Sequence, residues 1–244
     1  FIATASADKT LGWYDANRGH RVKRFQAHTG IVNAVDSSRA ISSPFILASA
    51  SDDCTAKLWD ARVRGPTGSL QHQYPVTSLA FGGTLADSSS SNLIYTGGID
   101  NAIYCWDIRR LQKTFRMTGH TDTITYLSLH PMGTHILSNS MDGTLRSWDI
   151  RPFVGGKRHD KTFTGATHSA DKGLLKCAWS PNDGKMVSAG SADRMVHIWD
   201  VYSQQELYLL PGHKGCVNTV VFHPNQAVIA SGSSDKSIFV GELA

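Results

Sequence analysis

Ser, His and Asp recur together in this chain, and that trio is the usual equipment of acyl transfer: a hydroxyl nucleophile, an imidazole to take its proton and a carboxylate to orient the imidazole. His28 with Asp53, His120 with Asp142, His168 with Asp193 and His213 with Asp235 stand 22 to 25 residues apart, and Trp59, Trp148 and Trp199 each follow their Asp by six. An active site is single, whereas these sets occupy equivalent places in successive segments. The repetition assigns them to structure, as a hydrogen-bond chain from the Trp indole N–H through a strand Ser or Thr and the His to the Asp. Each bond nets about 0.5–1.5 kcal/mol, and an orphaned buried partner costs about 1–3 kcal/mol. Asp100 and Trp106 hold the same places, but their segment is expected to lack the His, with Gln71-His72-Gln73-Tyr74 in that region. In the last segment Gly241 stands where Trp belongs. Those two segments are expected to be the less firmly pinned.

Metal and phosphate chemistry find less support. The 11 histidines and four cysteines (Cys54, Cys105, Cys177, Cys216) form no C-x-x-C or H-x-x-x-H pair within one element, and reduced, mostly buried thiols are expected. Gly82-Gly83, Gly97-Gly98 and Gly155-Gly156 lack the Lys-Ser/Thr ending, or the strand-to-helix setting, of a phosphate cradle. No catalytic residue, metal site or cofactor is therefore expected, and no small-molecule substrate.

The elements that position these groups follow from a repeat. Short strands close at Trp13-Tyr14-Asp15, Leu58-Trp59-Asp60, Cys105-Trp106-Asp107, Ser147-Trp148-Asp149, Ile198-Trp199-Asp200 and, in degenerate form, Val240-Gly241-Glu242, at steps of 45, 47, 42, 51 and 42 residues. An Asp stands seven residues before each end, at Asp8, Asp53, Asp100, Asp142, Asp193 and Asp235. Apolar runs before turns, small-residue strands such as Ile229 to Ser233, and stretches such as Gln205 to Leu210 complete four strands per unit. This is the all-β pattern of a propeller blade. The expectation is a single propeller domain over 1–244, with blades at about 1–27, 28–73, 74–118, 119–166, 167–211 and 212–244, and seven blades in the intact protein. The chain opens on Phe1 at the second strand of a blade and stops after the third strand of another, so a fragment of the ring is expected, open-edged and poorly soluble alone.

At 18% charged residues and a net charge of +4, the chain lacks the dense basic footprint of a nucleic-acid binder. Arg18, Arg21, Lys23 and Arg24 make one basic strand, so any RNA contact is expected to be peripheral. No apolar run approaches the roughly 20 residues of a membrane-spanning helix, and no membrane partner is expected. Identity then lies in rims and loops. Three places stand out: the Ser-rich stretch around Asp87 to Ser91, the basic stretch from Arg151 through Phe153, Lys157 and Arg158 toward Gly173, and the turn residues before the marker Asp. Among the last, Ile99 and Met141 are apolar and fall on consecutive blades, a candidate contact spot.

These repeats resemble the WD-repeat (WD40) family over the whole chain. More narrowly, the C-terminal half is similar to WD-repeat proteins of the U5 small nuclear ribonucleoprotein. The residues concerned are Ile99-Asp100-Asn101 with Trp106-Asp107-Ile108-Arg109, Leu137 to Asp142 running on to Trp148-Asp149-Ile150-Arg151-Pro152-Phe153, Gly190 to Arg194, Leu210 to His213, and the Gly241-Glu242 ending. The resemblance implies a nuclear, spliceosomal scaffold without activity of its own, docking on the large central U5 protein and other U5 subunits. The competing reading is a substrate receptor of a cullin-type ubiquitin ligase, for which Trp-Asp-x-Arg is the adaptor pattern. Arg62, Arg109 and Arg151 fit it.

Overall fold

Strands dominate because the sequence alternates short runs of β-branched, aromatic and small residues with turn residues. A computed structural model describes residues 1–38, 46–83, 92–169, 173–181 and 183–243; the Asp87 to Ser91 stretch lies outside them. The described residues contain 22 strands in antiparallel sheets and no α-helix, so the all-β class expected from the sequence holds.

Two compact units divide at Thr118/Gly119. The first contains β1(Ile2–Ala5)-β2(Thr10–Tyr14)-β3(Arg21–Gln26), then β4(Val32–Ser37)-β5(Ile46–Ser51)-β6(Thr55–Asp60)-β7(Pro66–Gln71), then β8(Val76–Phe81)-β9(Leu93–Gly98)-β10(Ala102–Asp107)-β11(Gln112–Thr118). The second contains β12(Ile124–Leu129)-β13(His135–Ser140)-β14(Thr144–Asp149)-β15(His159–Thr164), β16(Cys177–Trp179)-β17(Met186–Gly190)-β18(Val196–Asp200)-β19(Glu206–Leu210) and β20(Val217–Phe222)-β21(Val228–Ser233)-β22(Ile238–Glu242). Each four-stranded meander is a propeller blade in miniature.

Burial falls from the second strand of each four-stranded sheet to its fourth. β5, β9 and β13 are buried almost throughout, on both faces, which is why they carry Ala, Ser, Thr and Gly. β3, β7 and β15 bury little beyond one apolar residue each, Phe25, Leu70 and Phe163. Apolar clusters lie between neighbouring sheets of a unit. Trp13 and Phe25 meet Leu47 and Trp59, while Phe163 and Leu137 meet Trp179 and Trp199. Two lysines bridge the same neighbours: Lys23 Nζ donates to Ala61 O (2.9 Å) and Val63 O (2.6 Å), and Lys161 Nζ to Val201 O (2.8 Å).

The marker Asp shapes the turn between β1 and β2 in the first sheet and between the second and third strands in the others. Asp8, Asp53, Asp142, Asp193 and Asp235 each accept the backbone N–H two residues on, at 2.8–3.0 Å. The residue after every marker Asp is left-handed: Lys9, Cys54, Asn101, Gly143, Arg194 and Lys236 have φ between 59° and 75°. The carboxylate thus closes a turn whose next residue sits where L side chains are strained.

Two neighbouring sheets approach closely at Gly190, where a Cβ would lie 2.2 Å from Val217 O and 2.9 Å from Val217 C. Backbone atoms of a packed strand cannot step aside, so Gly190→Ala is expected to cost about 1–3 kcal/mol. Gly241, which has nothing within 4 Å of its own Cβ position, is the control: Gly241→Ala should leave urea unfolding unchanged, and equal losses at both sites would refute the packing argument.

Candidate functional site

The Ser-His-Asp sets are assembled in the second, fourth and sixth sheets. His28 Nδ1 donates to Asp53 Oδ2 (2.8 Å), and its Nε2 lies 2.6 Å from Ser49 Oγ. That oxygen also accepts the Trp59 indole N–H (2.8 Å). His120 repeats the arrangement with Asp142 (2.8 Å), Ser138 (2.6 Å) and Trp148 (2.8 Å from Ser138). His213 meets Asp235 (3.1 Å) and Ser231 (2.8 Å), and the Phe239 ring, 4.5 Å away, covers it where no Trp is present.

Proton accounting fixes the tautomer. A carboxylate only accepts, so Nδ1 carries the hydrogen, Nε2 receives the Ser O–H, and the Ser oxygen takes the indole N–H. The imidazoles of His28 and His120 are neutral. Burial pushes the pKa of His28 and of His120 down more strongly than their Asp partners raise it. Burial alone would raise the Asp53 carboxyl, but hydrogen bonds from Thr55, His28 and the Thr29 N–H outweigh it and hold the group at about 2. Asp142, bonded by His120, Thr144 and Thr121, is held lower still.

The connectivity matches a hydrolase triad, but access does not. Ser49 and Ser138 are 0% exposed and His28 and His120 only 6% and 7%. A hydroxyl that no substrate reaches, with its lone pair given to an indole, is a strut. Sequence reasoning missed Thr55 and Thr144, whose hydroxyls bond the same carboxylates at 2.5 and 2.6 Å. Their regular place two residues after each Asp was a visible signal.

Two segments differ from expectation. In the third sheet a histidine is present after all: His72 Nε2 lies 3.4 Å from Thr96 Oγ1, which accepts the Trp106 indole N–H at 2.9 Å. Burial, aided by Lys113, pushes His72 down to about 4, and Asp100 pairs with the Tyr104 hydroxyl. In the fifth sheet His168 does not join Asp193 and Trp199. Ala189 stands where Ser49 and Ser138 stand in their sheets, so the imidazole has no hydroxyl to meet. His168 lies 3.4 Å from Asn139 instead, and the Trp199 indole donates to Thr164 O (3.0 Å). Asp193 is taken by His197 Nε2 (2.8 Å), whose Nδ1 meets Glu206.

The surface candidates are placed as follows. Ile99 is exposed and Met141 half-buried. Arg62 and Arg151 fold back on their own strand-end Asp60 and Asp149, at 2.6 and 2.5 Å, while Arg109 is exposed with its backbone N–H on Asp107. Phe153 is fully exposed, Lys157 is exposed, and Arg158 bonds the loop's own carbonyls. In the basic N-terminal strand, Lys23 is spent on carbonyls and Arg24 on Asp8 (3.1 Å). Cys105 and Cys177 are buried, but Cys54 and Cys216 are only half-buried.

One cleft of about 240 Å³ opens in the second unit, lined by His130, His135, Asp160, Trp179, Asp183 and Tyr202 among others. His130 Nδ1 is committed to the Met132 N–H (3.0 Å), and no described Ser or Cys lines the cleft. Among the described residues no group of three His, Cys, Asp or Glu gathers to hold a metal ion.

Comparison with known proteins returns the same repeat. The family model "WD domain, G-beta repeat" matches residues 19–60, 65–107, 110–149, 159–200 and 204–240. The chain is 46% identical over 243 residues to the U5 small nuclear ribonucleoprotein 40 kDa protein of Dictyostelium discoideum, covering 99% of this chain and 66% of that protein. Identity to the human protein of the same name is 45% over 229 residues, covering 94% and 62%. Identity to pre-mRNA-splicing factor cwf17 of Schizosaccharomyces pombe is 40% over 242 residues, covering 99% and 68%. The chain thus spans somewhat under two thirds of the length of the U5 proteins it matches.

Proposed function

The chain belongs to the WD-repeat family, and from that premise we propose that it serves as a non-catalytic docking subunit of the U5 small nuclear ribonucleoprotein, acting in pre-mRNA splicing in the nucleus. The observation that carries this reading is 40–46% identity across 94–99% of the chain to proteins named for U5 and for pre-mRNA splicing. The buried hydroxyls support it from the other side, because the constellation most like an active site is closed off from solvent and its bonds run between strands of a single sheet.

Its partners on this reading are the large central U5 protein and neighbouring subunits, met through exposed Ile99 and half-buried Met141 on two Asp turns, and through exposed Arg109, Arg151, Phe153 and Lys157 with half-buried Arg158 at strand ends and in the loop after β14. RNA contact is peripheral. The ubiquitin-ligase reading is weakened at its own motif, since two of its three arginines are already paired to the preceding Asp. Immunoprecipitation of the tagged full-length protein from nuclear extract separates the two. Enrichment of U5 RNA and the large U5 protein is expected; recovery of a cullin adaptor without U5 RNA would overturn the proposal.

A further inference from the structure

The loop from Ile150 to Arg158 presents an aromatic ring to solvent and is braced to keep it there. Phe153 is 101% exposed, at φ 60°, a conformation that is strained for a non-glycine residue. An exposed Phe also forgoes the gain of burial. The surroundings hold this unfavourable display in place. Arg158 Nη1 donates to Asp149 O and to Arg151 O, both at 3.0 Å, and the Arg151 guanidinium pairs with the Asp149 carboxylate. The Ile150 N–H bonds Thr134 O at 3.0 Å, which seats the loop beside the turn carrying Met132, itself 68% exposed. Two large apolar side chains thus stand at the same end of one sheet, one of them on a preorganised loop.

We propose that this end of the fourth sheet, with Phe153 as anchor and Met132 beside it, docks a protein partner that offers an apolar pocket bordered by carboxylates. The charge of the loop sets the second half of that statement. Residues 150–158 contain three cations and no acid; Arg151 is paired with Asp149, Arg158 is held by the loop's carbonyls, and Lys157 stands exposed to solvent, in no ion pair with a described residue. A buried aromatic anchor ringed by polar contacts is the usual energetic centre of an interface, and bracing lowers the ordering cost of binding. Stacking of an RNA base on Phe153 is the less favoured occupant. Tracking a phosphate backbone takes a row of available cations, and here one guanidinium is paired and another holds the loop's carbonyls.

The inference rests on the docking-subunit reading, and one experiment keeps the two apart. In the full-length protein, expressed in its own cells, Phe153 is replaced by the photo-crosslinking residue p-benzoylphenylalanine, and adducts are mapped by mass spectrometry after irradiation. One dominant protein adduct is expected, in a segment where Asp or Glu flanks apolar residues. Lys157→Glu should weaken it about tenfold and Lys157→Arg should preserve it. No adduct, an adduct to RNA, or indifference to Lys157→Glu overturns the inference even if U5 RNA still co-purifies. An acidic protein adduct from outside the U5 particle upholds the inference and sinks the splicing reading instead.

Discussion

Asp142→Ala is expected to destabilise the second unit by about 3–5 kcal/mol, the cost of leaving several donors to one buried carboxylate without an acceptor. The carboxylate, 5% exposed, receives His120 Nδ1–H, the Thr121 and Thr144 N–H groups and the Thr144 hydroxyl at 2.6–3.1 Å. Alanine leaves all four donors without an acceptor. A freed His120 also loosens Ser138, and through it the Trp148 indole, so three strands are weakened by one change. Asp100→Ala is the internal comparison. There His72 reaches toward Thr96 rather than the carboxylate, and Tyr104 is the partner described, so a loss of about 1 kcal/mol is expected. Urea unfolding followed by Trp fluorescence measures both. Equal losses would mean that the network does not pin the sheet. Whatever the molecule docks onto, Asp142→Ala should weaken it in proportion to the unfolded fraction.

The same residues explain what was legible in the sequence. The repeat was readable because each strut needs particular atoms at a fixed spacing: a carboxylate at the turn, a hydroxyl four residues before it, an indole six after. Three sheets obey. The fifth departs by one atom's worth of chemistry, since Ala189 has no Oγ, and the departure propagates. His168 has no hydroxyl to meet, Trp199 turns to a backbone carbonyl, and His197 takes Asp193. That outcome was written in Ala189 and His197, but only in combination, and spacing alone pointed to His168. The third sheet erred in the other direction. His72 lacks the preceding Gly of Gly119-His120 and Gly212-His213, which hid a histidine that the fold nevertheless brings to Trp106. Surface behaviour was the least readable. Nothing in the sequence says that Arg62 and Arg151 fold onto their own aspartates or that Phe153 stands clear of the protein, because such choices depend on loop geometry that no period constrains.

Acid should unfold the protein in two stages, and the signs follow from the same struts. His28 and His120 are held below their ordinary pKa of 6.5, so the unfolded chain takes up protons first. Their contribution is complete above pH about 6.5 and is lost as pH falls toward the depressed folded values. Asp53 and Asp142 are held below 3.8. Their contribution is present above pH about 4 and is lost as pH falls further, toward about 2 for Asp53. For Asp53 the second loss amounts to about 1–2 kcal/mol after allowance for partial solvation. It is larger for Asp142, whose carboxyl is held lower. The unfolding free energy from urea titrations between pH 7 and pH 2 should therefore decline gently below pH 6.5 and steeply below pH 4. Asp142→Asn, which cannot titrate, should flatten the steep part, while His120→Gln should flatten the shallow part. A stability constant from pH 7 to pH 3 in the unsubstituted protein would contradict the neutral-imidazole arrangement on which both stages of the loss rest.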